Sequence, residues 1–349
     1  MHYSNVRFAA SLVYIGVVAA GAAEGGLAGW ASILLGGTLY PLIDAVPWGR
    51  VTGPQSDDQP HAEWPTLLLT LFAISQTFVI LWVLYLTTVR DYAIWEWLGI
   101  ALSLGTLTGG IGIPAAHELI HRSDRRARAI GVYLLSLVNY MHFRIEHIYG
   151  HHLKVATPSD PATARRGEGL WTFIPRSVWG QFISAFQIEE KLRRTAQGRP
   201  KRVNRMIWYF GIQSAVLAVI GLQFGGLGIL VMLVQSAMAI IFLEATNYIE
   251  HYGLLRKQVG QTFEPISIHH SWNTDSLLTN SLAFNLGLHA DHHANPRRPF
   301  PQLRHLAEAP QLPAGYLTML SIAAIPMLWR KIMDNRLDDC AANVSVPIP

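Results

Sequence analysis

Cysteine is nearly absent: Cys340 is the single one in 349 residues. Within one copy of the chain this excludes a disulfide framework, a CxxC zinc site and any cysteine-ligated iron centre. Charge is scarce too. Asp, Glu, Lys and Arg make up 14% of the residues, against roughly 25% in ordinary soluble domains. The deficit is concentrated in runs. Residues 66–89, 97–116 and 206–243 carry no charge, and near the start 8–23 and 25–43 are interrupted only by Glu24.

A bilayer core needs about 20 apolar residues per helix. The runs therefore predict six transmembrane helices, over 8–23, 25–46, 66–89, 95–116, 206–222 and 227–247. Only Arg7 precedes the first, and a second apolar run follows it directly, so it reads as a retained helix rather than a signal peptide. Repeats and low-complexity tracts are lacking as well. The expected fold class is an all-α integral membrane protein, one domain over residues 1–349, with six spans and a histidine-rich helical cap made by 117–205 and 248–349. Of the 27 Lys and Arg, 16 lie in 122–205, whereas Arg90 is the sole basic residue on the short connections of the other side. The positive-inside rule then places both termini and the cap in the cytosol, at a bacterial inner membrane. Basicity beside spans follows from topology, so the net charge of +4 gives no reason to expect nucleic acid as a partner.

What the sequence has in abundance is histidine. There are fifteen, including the adjacent pairs His151-His152, His269-His270 and His292-His293. Four groups stand out: His117 and His121; His147, His151 and His152; His251; and His289, His292 and His293. Residues four apart on a helix share a face, so His117 with His121, His147 with His151, and His289 with His293 can each point at one ion. His117-Glu118-x-x-His121 is also a formal zinc-metalloprotease signature, and an intramembrane zinc protease is the rival reading. Nine clustered imidazoles exceed one zinc, which takes four ligands. They suit two metals, and imidazole is compatible with iron, copper or zinc. Glu118, Glu146, Glu250 and Asp291 adjoin the groups as candidate acceptors of the second imidazole N–H, with His269 and His270 as further outer candidates. His2, His61, His142 and His305 read as structural or surface residues. Asp44, inside the end of the second run, is costly at that depth and predicts a polar partner or cavity.

At these residues the chain resembles the integral-membrane alkane hydroxylases (alkane 1-monooxygenases), within the histidine-box superfamily of fatty-acid desaturases and hydroxylases. The matching stretches are "HELIHR" (117–122), "IEHIYGHHLKVATPSDPATARRGE" (145–168), "NYIEHYGLLR" (247–256), "HHSWN" (269–273) and "LHADHHANPRRPFPQLR" (288–304). The resemblance implies a non-haem di-iron centre that uses O2 to hydroxylate the terminal methyl of an alkane. The metal ligands it implies are His117, His121, His147, His151, His152, His251, His289, His292 and His293. It also implies a separate rubredoxin as electron donor, reduced by an NADH-dependent reductase; the single cysteine agrees with a separate carrier. Ile120 and the pair Gly287-Leu288 depart from the usual alkane-hydroxylase pattern, and "HELIHR" is nearer to the xylene monooxygenases. An aromatic-methyl hydroxylase and a fatty-acid hydroxylase or desaturase therefore stand as alternatives. An apolar substrate partitions into the bilayer, and Gly36, Gly37, Gly109 and Gly110 are candidates for a channel between spans, close helix packing being their other reading.

Overall fold

The computed structural model describes residues 3–46, 49–51, 63–195 and 203–344. These residues are overwhelmingly helical; the strands are one two-stranded hairpin, Gln258–Val259 against Thr262–Phe263. Five helices are long and apolar enough to cross a membrane: α1 (Asn5–Glu24), α2 (Gly26–Ala45), α3 (Trp64–Val89), α4 (Ile94–Ile120) and, later in the chain, Arg205–His251. The chain is a membrane protein. Outward positions such as Phe78, Leu222 and Trp208 are exposed. Groups of that kind belong against lipid rather than water.

Arg205–His251 absorbs both the 206–222 and the 227–247 runs. Its 47 residues would extend for about 70 Å as one straight helix, more than twice the roughly 30 Å of a hydrocarbon core. Gly225 interrupts it with φ 68° and ψ −168°, a backbone conformation that glycine adopts without steric penalty. The element doubles back there. Gln213 on the first arm accepts from the Met141 main chain at 2.9 Å, and Gln235 on the second donates to Leu137 O at 2.7 Å. Residues 22 positions apart thus reach one five-residue loop, which a straight helix forbids.

Between α4 and those arms lie α5 (Arg125–Ser136), a short histidine-bearing helical segment at 143–154, and α6 (Leu170–Thr195). Asp124 caps α5, accepting from Ala127 N at 2.7 Å. α5 turns back alongside the end of α4, and the loop after it reaches Gln235 and Ser236. Those residues sit about 23 Å before His251 along the second arm, at about 1.5 Å per residue. So 117–205 is not one surface segment; part of it returns among the spans. α6 keeps Phe173, Ser177, Gln181 and Ala185 inward and presents Trp171, Trp179, Ile183 and Phe186 outward. Its buried Gln181, together with Tyr140 from the loop after α5, donates to Glu244 of the second arm, at 2.8 and 3.0 Å.

The C-terminal part closes the bundle from below with the short helices α7 (Leu277–Leu282), α8 (His289–Ala294) and α9 (Tyr316–Ala323), then α10 (Pro326–Val344). The acid inside the second span finds its polar partners here. Asp44 is buried and accepts from Ser276, from Thr279 Oγ1 at 3.1 Å and from Leu317 N at 3.0 Å. It joins α2 to the N-termini of α7 and α9, where free backbone N–H groups favour a negative charge.

Candidate metal centre

Three kinds of local structure bring the histidines together. His117 and His121 end α4, His251 ends the second arm, and His289, His292 and His293 lie on α8. The fourth set sits in a π-helical turn, His147–His151, followed by His152. Another π turn, Thr108–Gly112, lies one turn before the α4 histidines. Wide turns of this kind are rare and tend to occur at functional sites.

The nine rings converge into two adjoining groups. His117, His121, His147, His152 and His292 form one, and His151, His251, His289 and His293 the other; within each, the available ligand atoms lie within 4.8 Å of one another. Spacing by fours holds for His117 with His121 and for His289 with His293. It fails for His147 with His151. In the π turn, with its i to i+5 bonding, His147 pairs with His152, Nε2 to Nε2 at 3.0 Å, and His151 is carried to the second group. The groups touch through His152 and His293, ring centroids 4.6 Å apart.

The contacts within each group are the test of metal fit. Nε2 of His147 lies 3.0 Å from Nε2 of both His121 and His152, and His152 lies 3.1 Å from His292. In the other group His289 lies 3.2 Å from His251 and 3.0 Å from His293, again Nε2 to Nε2. A neutral Nε2 makes one hydrogen bond, as donor or acceptor, so it cannot serve two such neighbours. Nε2 of His117 and of His151 are buried with no hydrogen-bond partner. Nitrogens held about 2.1 Å from a common ion at right angles stand about 3.0 Å apart, so the arrangement fits lone pairs directed at a cation. Burial, reinforced by mutual repulsion among the rings, holds His121, His147, His152, His289, His292 and His293 well below the ordinary histidine range. They stay neutral, the form that ligates.

His151 differs. Burial pulls it down, but Asp160 outweighs that and raises it, accepting from Nδ1 at 2.9 Å. Asp160 also accepts from Thr163 Oγ1 at 2.6 Å and from Ala162 N at 3.1 Å. It is the imidazole-orienting carboxylate that sequence reasoning missed, nine residues away in a proline-flanked loop. The nominated acids have varied surroundings. Glu250 accepts from Tyr316 OH at 2.7 Å and lies 3.3 Å from His289 Nε2. Glu118 pairs with Arg122 at 2.7 Å and accepts from Phe300 N at 3.2 Å. Glu146 is fully buried, and burial, then repulsion from Asp160, raises its pKa. Asp291 holds Arg298 at 2.7 Å and the Arg304 main chain at 2.9 Å, fixing the chain that leaves α8. His270 accepts from Ser267 N through Nδ1 and faces Glu264 through Nε2, and its main chain, not its ring, supports His251. His269 is exposed. His142 packs edge-on against Tyr140 and His305 bonds Gln311, both away from the groups; His2 and His61 lie outside the described residues.

A cavity of about 90 Å³ runs from these rings up between the spans. His117, His147, His289 and Glu250 line its lower end, and Phe143, Phe242, Ile113 and Leu286 its flank. Gly36, Gly109 and Gly110 line it too. A Cβ at Gly36 would meet nothing within 4 Å, and one at Gly110 only the Phe242 ring at 3.8 Å. At Gly109 it would fall 2.6 Å from Ala239 Cα, so that glycine also lets two helices touch. Gly37 is exposed.

Residues 93–323 match the fatty acid desaturase family. The chain is 38% identical over 306 residues to alkane 1-monooxygenase 2 of Alcanivorax borkumensis, covering 86% of this chain and 80% of that one. It is 41% identical over 248 residues to alkane 1-monooxygenase 2 of Pseudomonas aeruginosa, covering 70% and 66%. It is 32% identical over 232 residues to the hydroxylase component of the Pseudomonas putida xylene/toluene monooxygenase, covering 66% and 62%. With its histidines in two ligand-competent groups below an apolar cavity, the chain belongs to the fatty acid desaturase family and groups with its alkane 1-monooxygenases.

Proposed function

We propose that this protein is an alkane 1-monooxygenase that hydroxylates the terminal methyl of medium- or long-chain alkanes to 1-alkanols, with O2 as co-substrate. The observation that carries the reading is the meeting of the two histidine groups with an apolar cavity that rises among the spans. Two iron ions are the proposed cofactors, one held by His117, His121, His147, His152 and His292, the other by His151, His251, His289 and His293. When bound, such a centre supplies an oxidant able to attack an unactivated C–H bond, which no amino-acid side chain can do.

The chain's own residues supply placement. Phe143, Ile113, Leu286 and Phe242 give the substrate a water-poor wall and direct its methyl group toward the imidazoles. Asp160 fixes the tautomer of His151, leaving Nε2 free to ligate. Tyr316 orients Glu250, the carboxylate at the cavity floor. Electrons come from a separate rubredoxin served by an NADH-dependent reductase; one cysteine in these 349 residues cannot build such a carrier.

For the membrane, the reading is six crossings, with the arms on either side of Gly225 counted separately. The histidine groups and both termini then face the cytosol of a bacterial inner membrane. The outward aromatic stripe of α6 suits the interface, where Trp settles.

Product analysis tests the activity. Membranes containing the protein, rubredoxin, its reductase and NADH are given octane, hexadecane, xylene and a fatty acid. 1-Octanol or 1-hexadecanol as the main product supports the proposal. Benzylic alcohol alone would move it to the xylene-type alternative, and an olefin or hydroxy acid alone to the desaturase-type one. Metal analysis near two irons per chain, not one zinc, separates it from a protease.

A further inference from the structure

Beside the four-histidine group lies an aromatic cluster that the proposed reaction leaves unused. Tyr248, Tyr252 and Trp329 touch pairwise. The two tyrosine ring centroids are 5.3 Å apart, and the indole lies 5.1 Å from Tyr248 and 5.3 Å from Tyr252. All three residues are buried. Tyr252 follows His251 directly, so about 3.8 Å separates their Cα atoms, and Tyr248 stands one helical turn earlier on the second arm. Trp272 braces the junction, its Nε1 donating to Tyr252 O at 2.9 Å and its main-chain N to Glu250 O at 2.8 Å.

The polar ends of the three side chains differ. Trp329 Nε1 is buried with no hydrogen-bond partner, so a phenyl ring would pack there without the cost of an unpaired donor. Tyr248 OH donates to the main-chain oxygen of Glu168 at 2.6 Å, a group that cannot take its proton. Tyr252 OH donates to Asp334 Oδ1 at 2.8 Å while accepting from Gly167 N at 2.8 Å. Asp334 is half-buried on α10, one turn before the exposed Asp338. Of the three side chains, Tyr252 alone has a base, and that base lies toward the surface.

We propose that Tyr248, Trp329 and Tyr252 form a redox relay that carries oxidising equivalents from the metal centre toward the protein surface when the cavity holds no substrate. The proposal rests on the oxygenase reading above. Tyrosine and tryptophan give up a single electron far more readily than phenylalanine, so this cluster conducts where a purely packing cluster would not. Tyr248 and Trp329 can pass a hole on but not keep it, because neither has a base for its proton. The hole settles on Tyr252. Its O–H bond breaks as its electron leaves toward the centre, and the proton forms an O–H bond on Asp334 Oδ1.

The electrons balance with O2 as oxidant and a water-soluble thiol as final reductant. Reduction of O2 to water takes four electrons and four protons. The carrier supplies two of the electrons, and an alkane, when present, supplies the other two from its C–H bond. Without alkane the relay supplies them, one at a time. A thiol returns each electron to Tyr252 as the proton on Asp334 moves back. Two thiols close to one disulfide and release two protons to the solvent.

The test freezes the complete system, with carrier, reductase, NADH and O2, during turnover without alkane and records its electron paramagnetic resonance spectrum. The expected signal is a phenoxyl radical, lost in Tyr252→Phe and in Asp334→Asn. Both variants should keep the iron content and octane turnover of the parent enzyme, yet inactivate sooner when run without alkane. Asp334→Asn retains an oxygen to accept from Tyr252, so it removes the base and keeps the contact, and it decides the matter should Tyr252→Phe fail to fold. Absence of an organic radical in the parent enzyme, or a radical unchanged in Asp334→Asn, overturns the relay and leaves alkane hydroxylation in place. Failure to hydroxylate octane at all would overturn the proposed function, and this proposal with it.

Discussion

Single residues decide which imidazole joins which group. His151 is adjacent to His152 in sequence, yet Asp160 holds its Nδ1 and turns Nε2 toward His251, His289 and His293. Removing one member of either group should therefore be a local event. His292→Ala and His251→Ala are each expected to lower bound iron from about two per chain toward one while both abolish turnover. If one substitution empties the whole centre and the other leaves it full, the five-plus-four division is wrong. Asp160→Asn keeps the shape but loses the carboxylate that orients His151. Loss of such a partner typically weakens metal affinity 10- to 100-fold. That drop should show as iron lost during graded chelator titration, with the four-histidine group emptied first.

At the scale of elements, the apolar runs and the histidine clusters are plain in the sequence because both are written in local composition. Their grouping is not. An i, i+4 rule assumes α-helical winding, and nothing in "EHIYGHH" announces the π turn that sends His147 and His152 one way and His151 the other. The re-entrant course of α5 is equally hidden. Its apolar stretch 130–138 is far too short to read as a span, and only pairing with Gln235 and Ser236 reveals where it goes. Asp44 announced a polar partner without naming it, because Ser276, Thr279 and Leu317 N are more than 230 residues away. The glycines likewise needed neighbours to be sorted. Gly36 faces open space, so Gly36→Trp should shorten the longest alkane accepted, read from product yield across a chain-length series. Gly109 abuts Ala239, so Gly109→Leu should instead lower Tm and expression yield through overpacking. An unchanged length profile in Gly36→Trp would remove that residue from the channel.

For the whole molecule, the decisive matter is sidedness, because the histidine groups must face the compartment that supplies electrons. Apolar runs alone do not orient a protein; the excess of Lys and Arg in 122–205 predicts a cytosolic face for that segment. The fold adds a geometric condition. Because the element reverses at Gly225, Gln223 beside the turn and Asp91, between α3 and α4, are expected on the face opposite Arg126 and Glu308. All four positions are exposed. The solitary Cys340 makes the experiment simple, since one Cys340→Ser change provides a cysteine-free background. Single cysteines are then placed at Gln223, Asp91, Arg126 and Glu308 and treated in intact spheroplasts with a membrane-impermeant maleimide. Gln223→Cys and Asp91→Cys should label at once, whereas Arg126→Cys and Glu308→Cys should label only after permeabilisation. Labelling of Gln223→Cys from the same side as Arg126→Cys would mean that the two arms do not cross separately. Because the arms run antiparallel, neither would then cross, and the membrane would hold four crossings with both termini still on one face.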